Sequence, residues 1–279
     1  MKPARFAYYR ASTVASAVEL LAEFGDDAKV IAGGQSLTAM MAFRLARPEH
    51  LIDIARITGL SDIRREGDCL RIGALATHRA IERADLGEDF KVLSRAMRWV
   101  GHLPIRTRGT VGGSLAHADA TAEWCSLARL LDADIVAQGP AGQRRIPASD
   151  FFIAPYTTAL DPAEIIVEVV FPRPAPRAAL TEYADRQGDF AIVSAAVDLD
   201  GSPQHPGVPR VVLGGVAGTP LSVEVYGSCW KPNSASRFAD LAEAVAAGID
   251  LRDDGGFSVH YRRGLVRTLV ERACEEAAA

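Results

Sequence analysis

Two short stretches decide how this sequence is interpreted, Ala32-Gly33-Gly34-Gln35-Ser36 and Thr110-Val111-Gly112-Gly113-Ser114. Residues 29–32, which lead directly into Gly33-Gly34, have the composition of a short strand. Because Gly-Gly carries no Cβ atoms, several backbone N–H groups of such a turn can converge on an anion. The second stretch repeats the Gly-Gly pair, and both stretches contain hydroxyl side chains that can donate a hydrogen bond. Two such turns in one chain suit a diphosphate, whose two charged groups need donors from both sides.

A Gly-Gly pair after a strand is also a common tight turn, and the two stretches alone leave both interpretations open. Neither stretch fits the G-x-G-x-x-G pattern of a dinucleotide-binding βαβ unit or the G-x-x-x-x-G-K-[ST] pattern of a P-loop. The residues therefore favour a phosphate-binding fold of some other kind over a Rossmann unit or a P-loop.

The composition is that of a globular protein long enough for two domains. The 279 residues are 48% hydrophobic and 24% charged, and the net charge of -4 gives no reason to expect nucleic acid as a partner. No apolar run approaches the roughly 18 residues of a membrane span, and the first residues lack an apolar signal core. These features predict a cytoplasmic protein without a membrane span.

The four cysteines are widely separated, and no pair has the C-x-x-C spacing of a zinc or iron–sulfur site. We expect reduced thiols and no bound metal. The cysteines are Cys69, Cys125, Cys229 and Cys274. Any redox chemistry then has to come from an organic cofactor or a partner chain.

Hydrophobic periodicity and the positions of Gly, Pro and capping residues predict a mixture of helices and strands. Helices are predicted over 13–24, 37–46, 77–84, 90–100, 122–131, 238–247 and 260–276. Strands are predicted over 29–32, 51–54, 63–65, 69–73, 134–137, 144–146, 164–171, 191–199 and 210–213. The Pro-rich run 172–177 cannot continue a central strand, so it predicts a domain boundary. The strands and then helices that follow it predict a small α+β domain.

The sequence resembles the FAD-binding medium subunits of molybdenum hydroxylases, the family that includes the flavoproteins of aerobic carbon monoxide dehydrogenase and the flavin domain of xanthine dehydrogenase. The second glycine stretch and its surroundings, from Ile105-Arg106-Thr107-Arg108-Gly109 to His117-Ala118-Asp119, are the most specific match. The other matching segments are Val30 to Leu37, Arg44 to Pro48, Leu51 to Ile54, Phe151-Phe152, Thr158 to Leu160, Glu164 to Ile166, Arg186 to Ala191, Leu213 to Val216, and Tyr261 to Arg263. Together they cover nearly the whole chain.

The resemblance implies an α+β fold. A two-part FAD-binding domain of the vanillyl-alcohol-oxidase-like (PCMH) type, residues 1–175 with parts of about 1–57 and 58–175, precedes a smaller α+β domain at 178–279. It also implies that the two glycine turns hold the FAD diphosphate. The residues carried over as FAD ligands are Ala32, Gly33, Gly34, Gln35, Ser36, Leu37, Thr110, Gly112, Gly113, Ser114 and Asp119.

Some positions depart from the family pattern or have a second interpretation. Many relatives carry Asn at Ser114 and Pro at Ala120, and some carry a lysine near the flavin ring at Glu182. Asp119 is also a candidate N-cap for the helix predicted over 122–131. Three other loop residues have a local alternative to a role at FAD. His117 would then pack locally, and Arg44 and Arg108 would be solvated surface arginines.

The implied function is an electron relay. A large partner subunit with a molybdenum cofactor would oxidise a substrate, a small partner with [2Fe–2S] clusters would carry the electrons to FAD, and NAD, a quinone or oxygen would accept them. The resemblance implies a dimer of such heterotrimers and no catalytic acid or base in this chain.

Two alternatives are a stand-alone FAD-dependent oxidoreductase and a flavin-binding assembly protein without turnover. In the first, His78, His102 or Cys125 would tether FAD or act as a base. The substrate of the complex cannot be derived from this chain.

Overall fold

The structure is a computed structural model that describes residues 2–202, 204–225, 230, 234, 236–253 and 256–279. Cys229, one of the four predicted thiols, lies outside these residues. Helices and strands are numbered here in chain order. The helices are α1 Val14–Phe24, α2 Leu37–Ala42, α3 His78–Arg83, α4 Lys91–Ala96, α5 Leu103–Arg106, α6 Val111–His117, α7 Glu123–Leu130, α8 Ala148–Phe151, α9 Arg237–Gly248 and α10 Val259–Ala278.

The strands form three main sheets and two short hairpins. They are β1 Ala7–Arg10, β2 Ala28–Ile31, β3 His50–Asp53, β4 Ile63–Glu66, β5 Cys69–Gly73, β6 Asp134–Gly139, β7 Gly142–Pro147, β8 Phe152–Ala154, β9 Thr157–Thr158, β10 Ile165–Phe171, β11 Ala178–Tyr183, β12 Val193–Asp198, β13 Gly201–Ser202, β14 His205–Pro206, β15 Arg210–Gly214 and β16 Leu221–Val223. None of the helices among the described residues is long and apolar enough to cross a bilayer.

The first sheet is parallel, in the order β1-β3-β2, and helix α1 packs on it. Helix α1 begins where the sequence predicts, because the Thr13 hydroxyl accepts from the Ser16 N–H and the Ser16 hydroxyl accepts from the Thr13 N–H. It ends at Gly25, whose φ of +54° is easily adopted only by glycine. Strand β2 then leads directly into the first glycine turn.

The second sheet is antiparallel, in the order β4-β5-β10-β6-β7. Its core is rich in large side chains that are fully buried, among them Phe90, Trp124, Phe151 and Phe171. Helices α4, α6 and α7 contribute to this core. The second glycine turn lies at the start of α6, and therefore rests on a rigid support.

The third sheet is antiparallel, in the order β11-β12-β15-β16, and has a different neighbour on each face. Since side chains alternate along a strand, Ala195, Val197 and Leu213 point to one face and pack with α9 and α10. Leu180, Ala196 and Val212 point to the other face and belong to the core that contains α4 and α7. Helix α7 therefore joins the third sheet to the preceding part of the chain.

Most predicted elements are present, although α2 and α4 are shorter than the predicted 37–46 and 90–100. The periodicity missed β1, β11 and β16, and it missed the short helices α5, α6 and α8. Helix α6 is the most informative of these. Two glycines lie in its first turn, and because glycine has a low helix propensity, the sequence does not predict a helix there. The Pro-rich run 172–177 is free of strand as expected, but it is anchored: Ala175 is fully buried, and Arg173 pairs with Asp198 at 2.8 Å.

A row of neighbouring polar residues interrupts the otherwise apolar interface between the third sheet and α7. Glu182, Ser194 and Gly214 lie side by side on β11, β12 and β15, on the same face as Leu180. Glu123 and Ser126 are on α7, three residues apart and so on one face of the helix. Burial, together with the nearby charge of Glu123, raises the pKa of Glu182, and burial raises the pKa of Glu123 as well.

These raised carboxyl pKa values predict a pH-dependent stability. Above the ordinary carboxyl pKa of about 4.3 the unfolded chain loses its Glu182 proton while the folded chain keeps it, so the free energy of unfolding falls as the pH rises. The slope reaches at most about 1.4 kcal/mol per pH unit for each group, until the pH passes the raised pKa. Glu182→Gln removes one such group, so its free energy of unfolding is expected to fall less steeply with pH. Urea unfolding between pH 5.5 and 8.5 measures both slopes.

Glu276→Gln is the matched control, because Glu276 is an exposed carboxylate paired with Arg98 at 2.8 Å. Its unfolding curve should follow the wild-type pH dependence. Equal slopes for the wild type and Glu182→Gln would contradict the raised pKa of Glu182.

Candidate functional site

The two glycine turns, distant in sequence, lie against each other in the structure. A β carbon placed on Gly33 would lie 2.7 Å from the carbonyl carbon of Arg108, 2.9 Å from the Cα of Gly109, and closer still to the Arg108 carbonyl oxygen. No side chain fits in that space, because the obstructing atoms are backbone. The first turn therefore requires glycine at position 33, because only glycine leaves room for its contact with Arg108 and Gly109, which precede the second turn.

The first turn presents unused hydrogen-bond donors. Among the described residues, no protein acceptor takes a hydrogen bond from the N–H groups of residues 33–36. Gly34 has a φ of +73°, and Gln35 folds back so that its side-chain amide donates to the Gly33 carbonyl at 3.0 Å. The Ser36 hydroxyl makes no capping hydrogen bond to α2. This turn has the open N–H groups that the sequence predicts.

The second turn is built differently, and its interpretation as an equal set of open N–H groups is wrong. The turn is the first turn of α6, and its N–H groups from Val111 to Ser114 all donate to acceptors inside the protein. Val111 donates to the Ala76 carbonyl at 3.0 Å, Gly112 to Ala74 at 2.8 Å, and Ser114 to the Thr110 carbonyl at 3.0 Å. The Thr110 hydroxyl caps the helix by accepting from Gly113 at 3.1 Å. What this turn offers a ligand is a bare glycine surface at Gly113, which is exposed, and the side chain of Ser114.

The glycine at position 112 has a packing role. A β carbon there would lie 2.6 Å from the Ala74 side chain and 2.9 Å from the Ala74 carbonyl oxygen. Gly109 has a similar role, since its β carbon would lie 2.8 Å from the ring of His78. Gly112 lets the second turn lie directly on the segment after β5, and Gly109 lets the residues before the turn lie against the start of α3.

Asp119 follows α6 and is almost fully buried. Its Oδ1 accepts from the Thr121 N–H at 2.9 Å and from the Thr121 hydroxyl at 2.7 Å, which is a local Asx turn. The N-cap of α7 is Ala122, so Asp119 is not the cap of that helix. Among the described residues, its Oδ2 accepts a single, longer hydrogen bond, from the Tyr156 hydroxyl at 3.3 Å, and keeps capacity for a ligand hydroxyl.

Tyr156 lies beside Asp119, and the sequence does not reveal that it does. It has a φ of +56°, its side chain is 62% exposed, and its ring lies 5.2 Å from that of His117. The charge of Asp119 raises the pKa of Tyr156, and burial lowers the pKa of His117. His117 therefore packs locally, as its alternative interpretation predicts, while Tyr156 leaves an aromatic face available beside Asp119.

The residues considered as tethers or bases for a stand-alone enzyme are poorly placed for those roles. His78 is buried and accepts a hydrogen bond from the Trp124 indole at 3.0 Å, and burial lowers its pKa to about 4. Cys125 is fully buried, and burial raises its pKa well above the ordinary thiol range, so it has little thiolate character. His102 is exposed, beside Gly188. Arg44 and Arg108 are exposed as well.

Taken together, the site offers open N–H groups on one side and a Cβ-free surface with a hydroxyl side chain on the other. A carboxylate and an aromatic ring lie at the end of α6. N–H and hydroxyl groups are the donors that phosphate oxygens accept, and a carboxylate accepts from sugar hydroxyls. These residues fit a diphosphate that carries a sugar or ribityl chain.

Comparison with known proteins agrees with this chemistry. Residues 4–174 match the family model described as the FAD binding domain in molybdopterin dehydrogenase. Residues 178–277 match the model described as the CO dehydrogenase flavoprotein C-terminal domain.

Similar proteins share almost their full length with this chain. The 6-hydroxypseudooxynicotine dehydrogenase complex subunit alpha of Paenarthrobacter nicotinovorans is 39% identical, over 99% of this chain and 96% of its own. The carbon monoxide dehydrogenase medium chain of Hydrogenophaga pseudoflava is 34% identical, over 99% of this chain and 98% of its own.

Solved structures give the same result. The carbon monoxide dehydrogenase structure from Hydrogenophaga pseudoflava that lacks the Mo-pyranopterin moiety superposes with a TM-score of 0.91 at 34% identity, covering 100% of this chain and 99% of that one. Quinoline 2-oxidoreductase from Pseudomonas putida 86 also gives a TM-score of 0.91 at 34% identity, covering 100% and 98%.

These matches confirm the expected α+β fold, an FAD-binding domain followed by a smaller C-terminal domain, and they confirm FAD as the cofactor. The chain belongs to the FAD-binding medium subunits of the molybdenum hydroxylases, a family of multi-subunit oxidoreductases.

Proposed function

We propose that this chain is the electron-transfer subunit of a molybdenum hydroxylase and that its FAD passes electrons from the iron–sulfur clusters of a partner to an external acceptor. Relatives of nearly the same length are named as subunits of dehydrogenase complexes, which supports a partner-dependent role. The partners would be a large subunit with the molybdenum cofactor and a small [2Fe–2S] subunit, in a dimer of heterotrimers. The acceptor would be NAD, a quinone or oxygen, in the cytoplasm as the sequence predicts.

FAD would supply the redox chemistry, and the residues of this chain would place it. The observation that carries this proposal is the contact of Gly33 with the backbone of Arg108 and Gly109, beside four unused N–H groups. We propose that the first turn, from Ala32 to Leu37, gives N–H groups and the Ser36 hydroxyl to the diphosphate.

The second turn would contribute a surface without β carbons, against which the cofactor can lie, and not a set of open N–H groups. Thr110 and Gly112 hold it against the segment after β5, so that Gly113 and the Ser114 side chain border the bound cofactor. The free lone pairs of Asp119 Oδ2 would accept from a ribityl or ribose hydroxyl. We also propose the domain limits 1–175, with parts of about 1–57 and 58–175, and 178–279. The core that the third sheet forms with α9 and α10 is built from residues after 178, which supports the limits of the second domain.

Gly33→Ala is expected to lower the affinity for FAD by at least tenfold. The φ of Gly33 is not in the left-handed region, so the effect would come from the collision of the new methyl group with the Arg108 and Gly109 backbone. Separating the two turns would displace the N–H groups from the diphosphate. Titration of the deflavinated chain with FAD, followed by the quenching of flavin fluorescence, measures the dissociation constant.

Gly264→Ala in α10 is the matched control, because a β carbon there meets nothing within 4 Å. It should bind FAD like the wild type and unfold at an equal or slightly higher temperature, since Ala favours a helix interior over Gly. Wild-type affinity in a folded Gly33→Ala chain would contradict the proposed diphosphate site.

The relay itself is tested by isolating the tagged chain from its native host. The proposal predicts that a large chain containing molybdenum and a small chain with [2Fe–2S] absorbance elute with it. The separated chain should keep FAD but should not oxidise aldehydes, purines or N-heterocycles at a useful rate. Oxidation of such a substrate by the chain alone would instead support a stand-alone oxidoreductase.

A further inference from the structure

His78 is a buried histidine that the proposed function leaves without a role. It is the first residue of α3 and is only 4% exposed. Burial, together with the positive charge of Arg106, lowers the pKa of His78 to about 4. At neutral pH the imidazole is therefore uncharged, and it does not act as a cation toward a diphosphate. What it supplies is its shape and its hydrogen bonds.

A hydrogen bond to the imidazole fixes the orientation of the ring. Nδ1 accepts from the indole N–H of Trp124 at 3.0 Å, and Trp124 is itself fully buried on α7. Because Nδ1 of the neutral ring is the acceptor, the ring proton is on Nε2. The opposite edge of the ring, formed by Cδ2 and Nε2, faces Gly109. A β carbon on Gly109 would lie 2.8 Å from each of these two ring atoms.

The backbone joins the same two segments. The His78 N–H donates to the Gly109 carbonyl at 3.0 Å, and Thr77 and Thr110 form an antiparallel bridge beside this hydrogen bond. The bridge holds the two segments side by side. The ring of His78 fills the space next to Gly109 that a side chain at position 109 would otherwise occupy.

Gly109 also contacts the first glycine turn. A β carbon on Gly33 would lie 2.9 Å from the Cα of Gly109, and Gly109 is buried. Close packing of this kind transmits a displacement from one group to the next, because no free space absorbs it. Without the ring of His78, Gly109 would have room to move, and its contact with Gly33 would lose its fixed position.

We propose that His78 is a positioning residue for FAD, whose ring, oriented by Trp124, holds Gly109 where the backbone of Gly33 packs against it. The inference rests on the proposed FAD site. The contact between Gly33 and Gly109 places the open N–H groups of residues 33–36. His78 would therefore act on the diphosphate through the two glycines, without touching the cofactor.

Two substitutions of His78 separate positioning from a role in stability alone. His78→Ala removes the ring and should raise the dissociation constant for FAD by roughly tenfold or more, since the site is no longer preorganised. His78→Asn keeps an oxygen where Nδ1 lay, so the Trp124 indole retains an acceptor, but it lacks Nε2. It should be more stable than His78→Ala in urea and should still bind FAD more weakly than the wild type. Titration of the deflavinated chains with FAD, followed by flavin fluorescence, measures the dissociation constants.

A compensating substitution at position 109 tests the contact itself. Gly109→Ala alone should weaken FAD binding, because its methyl group collides with the His78 ring. In the double variant with His78→Ala, the methyl group enters the space that the ring has left. The carbonyl oxygen of Ile105, 3.0 Å from that position, needs only a small shift. The double variant should bind FAD at least about fivefold more tightly than the two single effects multiplied together predict.

Ile81→Ala is the matched control, because Ile81 is fully buried on the same helix and its truncation also leaves a cavity. It should unfold at a lower urea concentration than the wild type and bind FAD with unchanged affinity. An equal loss of FAD affinity in Ile81→Ala would show a general effect of cavities in α3 and would overturn the role of His78.

Two further results would overturn this role and leave the proposed function intact. One is wild-type FAD affinity in folded His78→Ala, or in His78→Asn if the alanine variant does not fold. The other is a double variant whose FAD affinity is the simple product of the two single effects. A folded wild-type chain that bound no FAD would overturn both the role of His78 and the proposed function.

Discussion

The close contact between the backbone at Gly33 and the peptide of Arg108 and Gly109 is the constraint on which the site depends. It joins the parallel sheet, which ends in the first glycine turn, to the segment that begins α6. Any side chain at position 33 would separate these two parts. The joined turns form a surface with open N–H groups on one side and a glycine-lined helix start on the other, and this asymmetry accounts for the two different roles that the similar sequences Ala-Gly-Gly-Gln-Ser and Thr-Val-Gly-Gly-Ser have.

The asymmetry also shows how far sequence alone can predict this protein. Capping and periodicity located α1, β3, the hairpins β4–β5 and β6–β7, and α10, because local signals such as Thr13 and Gly25 determine where these elements begin and end. The same reasoning missed α6, since its two glycines fit against Ala74 and not into an exposed turn. That contact is between residues distant in the chain, and no local pattern encodes it.

The same difference between local signals and long-range contacts applies to the candidate site. The open N–H groups of the first turn were predictable, because a strand followed by Gly-Gly determines them locally. Tyr156 beside Asp119 and the ring of His78 against Gly109 were not, because these contacts join residues that are far apart in the chain. The family resemblance found the cofactor and the fold, while the physical roles of Gly112, Thr110 and Glu182 required the structure.

Hydrogen exchange of the individual backbone amides, with and without FAD, tests the central claim most directly. The account predicts that residues 33–36 exchange rapidly in the free chain and become strongly protected when FAD binds. Residues 111–114, whose N–H groups already donate to protein acceptors, should be protected in both states. Protection gained on FAD binding at 111–114 and not at 33–36 would contradict the account.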